Sequence, residues 1–244
     1  MTSFILKCIA MISMLIDHTS VAYFGQTTLF NVIGRIAFPI FAFQISEGYI
    51  HTKNLKKYLL RLFCFAIISQ VPFMLFDSMF TNNFSFNIFG TLFVGLLAIL
   101  LYDKISNCSF ELTKDKKFNL TINKIFGFIP AILLGIVSEV CCFDYGFWGV
   151  AIIFLFYFFK NDKLGMVIFY ITACIIKYGI NIIIYGYHYL YILLCIGTIL
   201  PIIFICLYNG KQGKKIKYLL YAFYPVHLLL LYFLFGIVPT LCHY

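Results

Sequence analysis

Long apolar runs, separated by short polar segments, repeat from Phe4 to the C-terminus. Each run holds the roughly 20 apolar residues that a helix needs to cross the bilayer core. The runs are continuous, whereas barrel strands alternate, and a helix satisfies its own backbone hydrogen bonds in lipid. The pattern predicts an all-α, polytopic integral membrane protein with about nine transmembrane helices. They lie at 4–24, 31–50, 57–76, 87–103, 125–143, 146–160, 164–182, 187–208 and 218–240.

Composition agrees with a membrane location. Of 244 residues, 63% are hydrophobic and 11% charged, against roughly a quarter charged in soluble domains. A soluble catalytic domain is therefore excluded. We expect a single transmembrane domain over 1–244, with 104–124 as a cytoplasmic loop too short to fold as a domain.

The basic residues occupy every second loop between the predicted helices. The other loops, 25–30, 77–86, 144–145 and 183–186, contain no Lys or Arg. This positive-inside pattern predicts a multi-pass plasma membrane protein with a cytoplasmic N-terminus and an outside C-terminus. It also explains the net charge of +9, so nucleic acid is not expected as a partner. Fifteen of the eighteen Lys and Arg lie in the clusters Lys53 to Arg61, Lys104 to Lys124, Lys160 to Lys163 and Lys211 to Lys217.

Several ionisable residues lie inside the predicted helices, where each charge costs about 2.5–3.5 kcal/mol on insertion scales. Lys7 and His18 are eleven residues apart, so both project from one helix face, about 16.5 Å apart along the axis. The next helix runs back antiparallel, which predicts an outer charge pair, Asp17 with Arg35, and an inner pair, Lys7 with Glu47. A carboxylate beside His18 would prepare the imidazole for general base catalysis. Alternatively, the outer pair is structural and Lys7 extends to the membrane surface.

Other polar residues are expected to support this group. Glu139 and Asp144 lie at the depth of His18, and His227 follows Pro225 in the last helix. With Glu47, they form the predicted supporting polar network. The chain contains no Gly-rich phosphate loop, no G-x-S-x-G and no H-E-x-x-H motif. No metal site is predicted.

Motifs along nearly the whole chain resemble the TraX family. The matching segments are Thr2 to Ala10, Ile16-Asp17-His18, Ile33 to Phe43, Ser46 to Tyr49, Tyr58 to Leu62, Ile68 to Phe73, Asp144-Tyr145-Gly146 and Tyr224 to Leu228. That family is associated with N-terminal acetylation of pilin and is regarded as related to membrane acyltransferases that modify sugars. These relatives carry an Arg followed eleven residues later by His in the first helix. Lys7 and His18 match that spacing, but with Lys for Arg and Cys8 for Gly.

The resemblance implies acetyl-CoA as co-substrate, approaching from the cytoplasm. Its phosphates would meet a cationic group, and its acyl end would reach His18. His18 would act as general base or covalent acyl carrier, with Asp17 orienting it and Arg35 stabilising negative charge. Gln70 stands where the family has Glu, so it is given no catalytic role. The predicted donor-binding residues are Lys7, Lys53, Lys56, Lys57 and Arg61.

The function predicted from these features is a membrane-bound acetyltransferase, acting on a protein N-terminus or a cell-surface glycan. Two other classes remain open. A small-solute transporter or flippase would also place charges inside its helices. A non-enzymatic subunit of pilus or conjugation assembly would use them to dock helices.

Overall fold

A computed structural model describes residues 1–81, 83–107 and 116–237 of the chain. Within these ranges the regular structure is helical, joined by a single isolated bridge between Phe86 and Phe143. The all-α, polytopic membrane fold predicted from the sequence is confirmed. The helices are α1 (Ser3–Phe24), α2 (Phe30–Gly34), α3 (Ala37–His51), α4 (Leu55–Asp77), α5 (Ile88–Ser106), α6 (Lys116–Val140), α7 (Gly146–Phe158), α8 (Lys163–Tyr185), α9 (Tyr189–Ile199), α10 (Pro201–Cys206) and α11 (Lys217–Leu231), which continues as a π-helix (Tyr232–Ile237).

Each predicted transmembrane segment corresponds to a helix or to a broken pair of helices. Seven helical stretches in the described ranges are long and apolar enough to cross a membrane, with α9 and α10 counted as one. The other two predicted segments correspond to shorter helices. α3 has 15 residues and α7 has 13, and at about 1.5 Å per residue neither alone spans a core of about 30 Å. The predicted count of nine is thus approximate.

Proline explains both interrupted segments. Pro39 has no backbone N–H, so the carbonyl of Arg35 has no helical partner, and the chain breaks between α2 and α3. Pro201 likewise separates α9 from α10. The break at Gly34 brings the backbone close to α1, because a Cβ there would lie 2.1 Å from Oδ1 of Asp17.

The core is centred on α7, which packs against α3, α5, α6 and α8. Val150, Ile152, Ile153 and Phe156 are at most 1% exposed. A helix that is apolar on all sides is buried among other helices or in lipid, and α7 is surrounded by four helices. Across its C-terminal end, Asp103 of α5 accepts hydrogen bonds from Tyr49 of α3 and Tyr157 of α7.

The connecting loops lie on two faces. The backbone N–H of Ser3 donates to the carbonyl of Lys211 (2.9 Å), so the N-terminus and loop 207–216 share one face. The backbone N–H of Phe86 donates to the carbonyl of Cys142 (2.9 Å), which places loops 78–87 and 141–145 together on the other. We call the face with the N-terminus and loop 207–216 the basic face, and the other the opposite face.

One predicted boundary is corrected. The predicted loop 104–124 is partly helical, because α5 continues to Ser106 and α6 begins at Lys116. A basic residue does not end a helix here, since Lys104 in the last turn of α5 interacts favourably with the helix dipole. The predicted outside C-terminus falls on 238–244, outside the described residues.

Candidate functional site

His18 of α1 pairs directly with His227 of α11. Nδ1 of His18 lies 2.7 Å from Nε2 of His227. The two rings are nearly coplanar, with centroids 4.9 Å apart and planes within 5° of each other. Nδ1 of His227 lies 2.7 Å from the backbone carbonyl oxygen of Phe223. His227 is 4% exposed, so this chain of hydrogen bonds is held inside the protein.

The chain of hydrogen bonds fixes the tautomer of both neutral rings. A carbonyl oxygen can only accept, so the proton of His227 is on Nδ1 and its Nε2 carries a lone pair. His18 must then donate from Nδ1 to that lone pair. The free lone pair of His18 is therefore on Nε2, which is the atom required for a base or nucleophile.

A large cavity of about 540 Å³ leads from the basic face toward His18. Its wall includes Lys7, Lys53 and Arg61, three of the five predicted donor-binding residues. Two buried donors on this wall, Nε of Arg61 and Nε2 of Gln44, have no hydrogen-bond partner. The cavity thus offers cations and unused N–H groups to an anionic, carbonyl-rich ligand.

The other two predicted donor-binding residues, Lys56 and Lys57, are exposed in the first turn of α4 and do not line this cavity.

A small cavity of about 40 Å³ lies beside His18. Four residues line both cavities, so the small one adjoins the large one. These shared residues are Met14, Phe41, Ile88 and Tyr224. Asp17, His18 and Asp144 line the small cavity but not the large one. The structure therefore brings two predicted carboxylates and the predicted imidazole to one space.

The contacts of Asp17 and Arg35 differ from the predicted outer charge pair. Oδ1 of Asp17 accepts a hydrogen bond from Nδ2 of Asn31 (2.8 Å). Arg35 lines neither cavity and forms no ion pair within 4.0 Å with any described side chain, although its charge interacts with those of Asp17 and Asp144. The break after α2 shifts the register, so that Asn31 meets Asp17. Arg35 lies behind the site, and its Nε is buried without a partner.

The contacts of Lys7 and Glu47 also differ from the predicted inner charge pair. Glu47 pairs with His51, one helical turn away, at 3.4 Å. Lys7 lines the same large cavity as Glu47 without pairing with it. The cation of Lys7 is thus free of a competing carboxylate.

The two acidic residues of the α6–α7 turn have different positions. Oε2 of Glu139 accepts from the backbone N–H of Phe147 (2.8 Å) and so stabilises the start of α7. The backbone of Asp144 is fixed by its N–H donating to the carbonyl of Phe86 (2.9 Å) and by the hydroxyl of Thr91 donating to its carbonyl. Asp144 therefore lines the small cavity, whereas Glu139 is exposed and stabilises the start of α7.

Sequence reasoning missed Asn31, Phe38 and Tyr224. Phe38 and Tyr224 lie within segments that carry the family resemblance, so a signal existed. Asn31 has no such signal, because only the helix break brings it to Asp17. Gln70 received no catalytic role, and its Oε1 accepts from Nδ2 of Asn87 (2.7 Å), which anchors the opposite-face loop to α4.

The comparisons with known proteins agree with the resemblance. A family model described as TraX protein matches residues 3–235, so the predicted family is confirmed. A protein of Dichelobacter nodosus described as "Probable fimbrial assembly protein FimC, serogroup H1" is 27% identical over 253 residues, which cover 94% of each chain. No solved structure matches the chain.

Proposed function

Since the chain belongs to the TraX family, we propose that it is a pilus- or conjugation-related membrane acyltransferase. It moves an acetyl group from cytoplasmic acetyl-CoA to a protein N-terminus or a cell-surface acceptor. The observation that carries the proposal is His18, held by His227, in a small cavity that adjoins a large cavity with cationic walls. The fimbrial description of the relative supports the pilus context.

The large cavity suits the donor. Small-molecule sites have volumes of about 300–1,000 Å³, and this one has about 540 Å³. Lys53 and Arg61, near the basic face, bind the phosphates of the donor, and Lys7 lies between them and the site. Gln44 offers its unused Nε2–H to the amide carbonyls of the pantetheine arm. The N-terminus is then cytoplasmic, as the positive-inside pattern predicts.

His18 performs the transfer with Nε2. As general base, Nε2 takes the proton of the acceptor amine or hydroxyl while the acceptor atom bonds to the thioester carbonyl carbon. The carbon–sulfur bond breaks, and the CoA thiolate takes the proton from His18. As covalent carrier, Nε2 itself bonds to that carbon and the thiolate leaves. The acceptor then replaces Nε2, and its proton goes to the thiolate.

The remaining polar residues position this group. His227 holds the tautomer and the ring plane of His18. Asp17 and Asp144 border the small cavity with fixed carboxylates. Arg35, whose charge interacts with those of Asp17 and Asp144, stabilises these two carboxylates beside the site.

The proposal is tested by binding and turnover of radiolabelled acetyl-CoA by the purified protein in lipid nanodiscs. His18→Ala is expected to keep donor binding and lose donor consumption, whereas Lys7→Ala weakens binding. The matched control is His188→Asn, on the opposite face, because Asn keeps the N-cap hydrogen bond that His188 makes to Leu190.

The other two classes give different results. A transporter would move a solute without consuming acetyl-CoA. A non-enzymatic assembly subunit would support pilus assembly equally well with His18→Ala. Failure of the wild type to bind or consume acetyl-CoA would show that the proposal is wrong.

A further inference from the structure

The small cavity beside His18 has a rigid aromatic wall. Phe38 is 2% exposed and stacks on Tyr145 with ring centroids 3.9 Å apart and an interplanar angle of 11°. Behind this pair, Trp148 lies 5.5 Å from Phe38, and Nζ of Lys177 lies 4.0 Å from the Trp148 ring. Phe38 has little room to move away from the cavity, because Tyr145 and Trp148 already contact its ring.

The adjoining surfaces are also fixed. Gly34 and Ala37 line the small cavity. At Gly34 the backbone is so close to α1 that an added Cβ would lie 2.3 Å from Cγ of Asp17. The available space therefore cannot grow by a small side-chain movement on this side.

The volume limits what fits next to Nε2 of His18. A water-sized atom group needs about 10–15 Å³ measured in this way, so a cavity of about 40 Å³ holds roughly three non-hydrogen atoms. An acetyl group has three. Each further methylene of an acyl chain must displace a packed side chain, which is unfavourable in a dense interior.

We propose that this small cavity selects the acyl group by length, admitting acetyl and excluding longer chains, and that Phe38 sets the limit. The inference rests on the proposed acyltransferase function. It adds the residue that determines which acyl-CoA donors the protein accepts.

The experiment compares acetyl-, propionyl-, butyryl- and hexanoyl-CoA as donors for the protein in nanodiscs. One extra methylene in a tight pocket changes kcat/KM by about 10- to 200-fold, and we expect a loss of that size by butyryl-CoA. Phe38→Leu is expected to raise the butyryl-to-acetyl ratio of kcat/KM. The control is Phe43→Leu, since Phe43 is buried in the same helix but lines neither cavity.

A second variant covers the case in which Phe38→Leu does not fold. Ala37→Val narrows the same cavity, and it is expected to lower acetyl transfer while binding of free CoA, measured separately, is kept. Equal use of acetyl- and butyryl-CoA by the wild type would overturn the length limit and leave the acyltransferase standing. An unchanged ratio in folded Phe38→Leu would show that Phe38 does not set the limit. If the wild type consumes no acyl-CoA, both proposals are wrong.

Discussion

Replacing His227 tests whether its hydrogen bond controls His18. In His227→Phe an aromatic ring still fills the position, but the Nδ1–H of His18 loses its acceptor at 2.7 Å. Leaving a buried donor unpaired costs about 1–3 kcal/mol, which the imidazole can avoid by moving its proton to Nε2. In that tautomer Nε2 of His18 carries the proton and has no lone pair for the proposed reaction.

The expected result is a fall in kcat of roughly 5- to 150-fold, the factor that corresponds to about 1–3 kcal/mol. The KM for acetyl-CoA should change little, because the cations that meet the phosphates lie in the large cavity, away from His227. The assay is steady-state consumption of radiolabelled acetyl-CoA in nanodiscs, with thermal unfolding measured in parallel.

A conservative variant separates hydrogen bonding from packing. His227→Gln offers a side-chain carbonyl in place of Nε2 and is expected to recover part of the lost kcat. If folded His227→Phe turns over at the wild-type rate, the tautomer argument is refuted. If His227→Gln loses as much kcat as His227→Phe, a hydrogen-bond acceptor at this position is not sufficient to sustain kcat.

Three further predictions concern the approach of α2 to α1, the donor cavity and the topology. Gly34→Ala places a Cβ against Asp17, so we expect thermal unfolding to show about 1–3 kcal/mol of destabilisation. The control is Gly179→Ala, which should not destabilise the protein because a Cβ there meets nothing within 4 Å. Arg61→Ala should raise the KM for acetyl-CoA several-fold with kcat unchanged, and Lys57→Ala, outside the cavity, should leave both constants unchanged; the reverse order would place the phosphates elsewhere. Single cysteines introduced into basic-face loops of a cysteine-free chain should resist a membrane-impermeant maleimide in whole cells, and those in opposite-face loops should react; labelling of the basic face would reverse the orientation.

The helices were predictable because apolar runs long enough to cross a membrane have few alternatives. The contacts of the charged residues were less predictable from the sequence. The pairing of Asp17 with Arg35 assumed two straight antiparallel helices, and the break near Gly34 and Pro39 invalidates that geometry. Local sequence rules describe a helix well, but a break changes which residues face its neighbour.

The partner of His18 was unpredictable for another reason. His227 was expected to support the site, yet its direct hydrogen bond to His18 depends on how α11 packs against α1. No spacing rule connects two residues 209 positions apart. The cavity at the basic face, by contrast, follows from the basic loops, which already predicted Lys53 and Arg61.

The separation of His18 and His227 along the chain has a consequence for biosynthesis. The two halves of the site are 209 residues apart, and a ribosome adds about 5–20 residues per second. Once His18 is made, roughly 10–40 seconds pass before His227 follows at that rate. A nascent or truncated chain that lacks α11 has no partner for the Nδ1–H of His18. Under the proposed mechanism, a chain without α11 therefore has no oriented base for acetyl transfer.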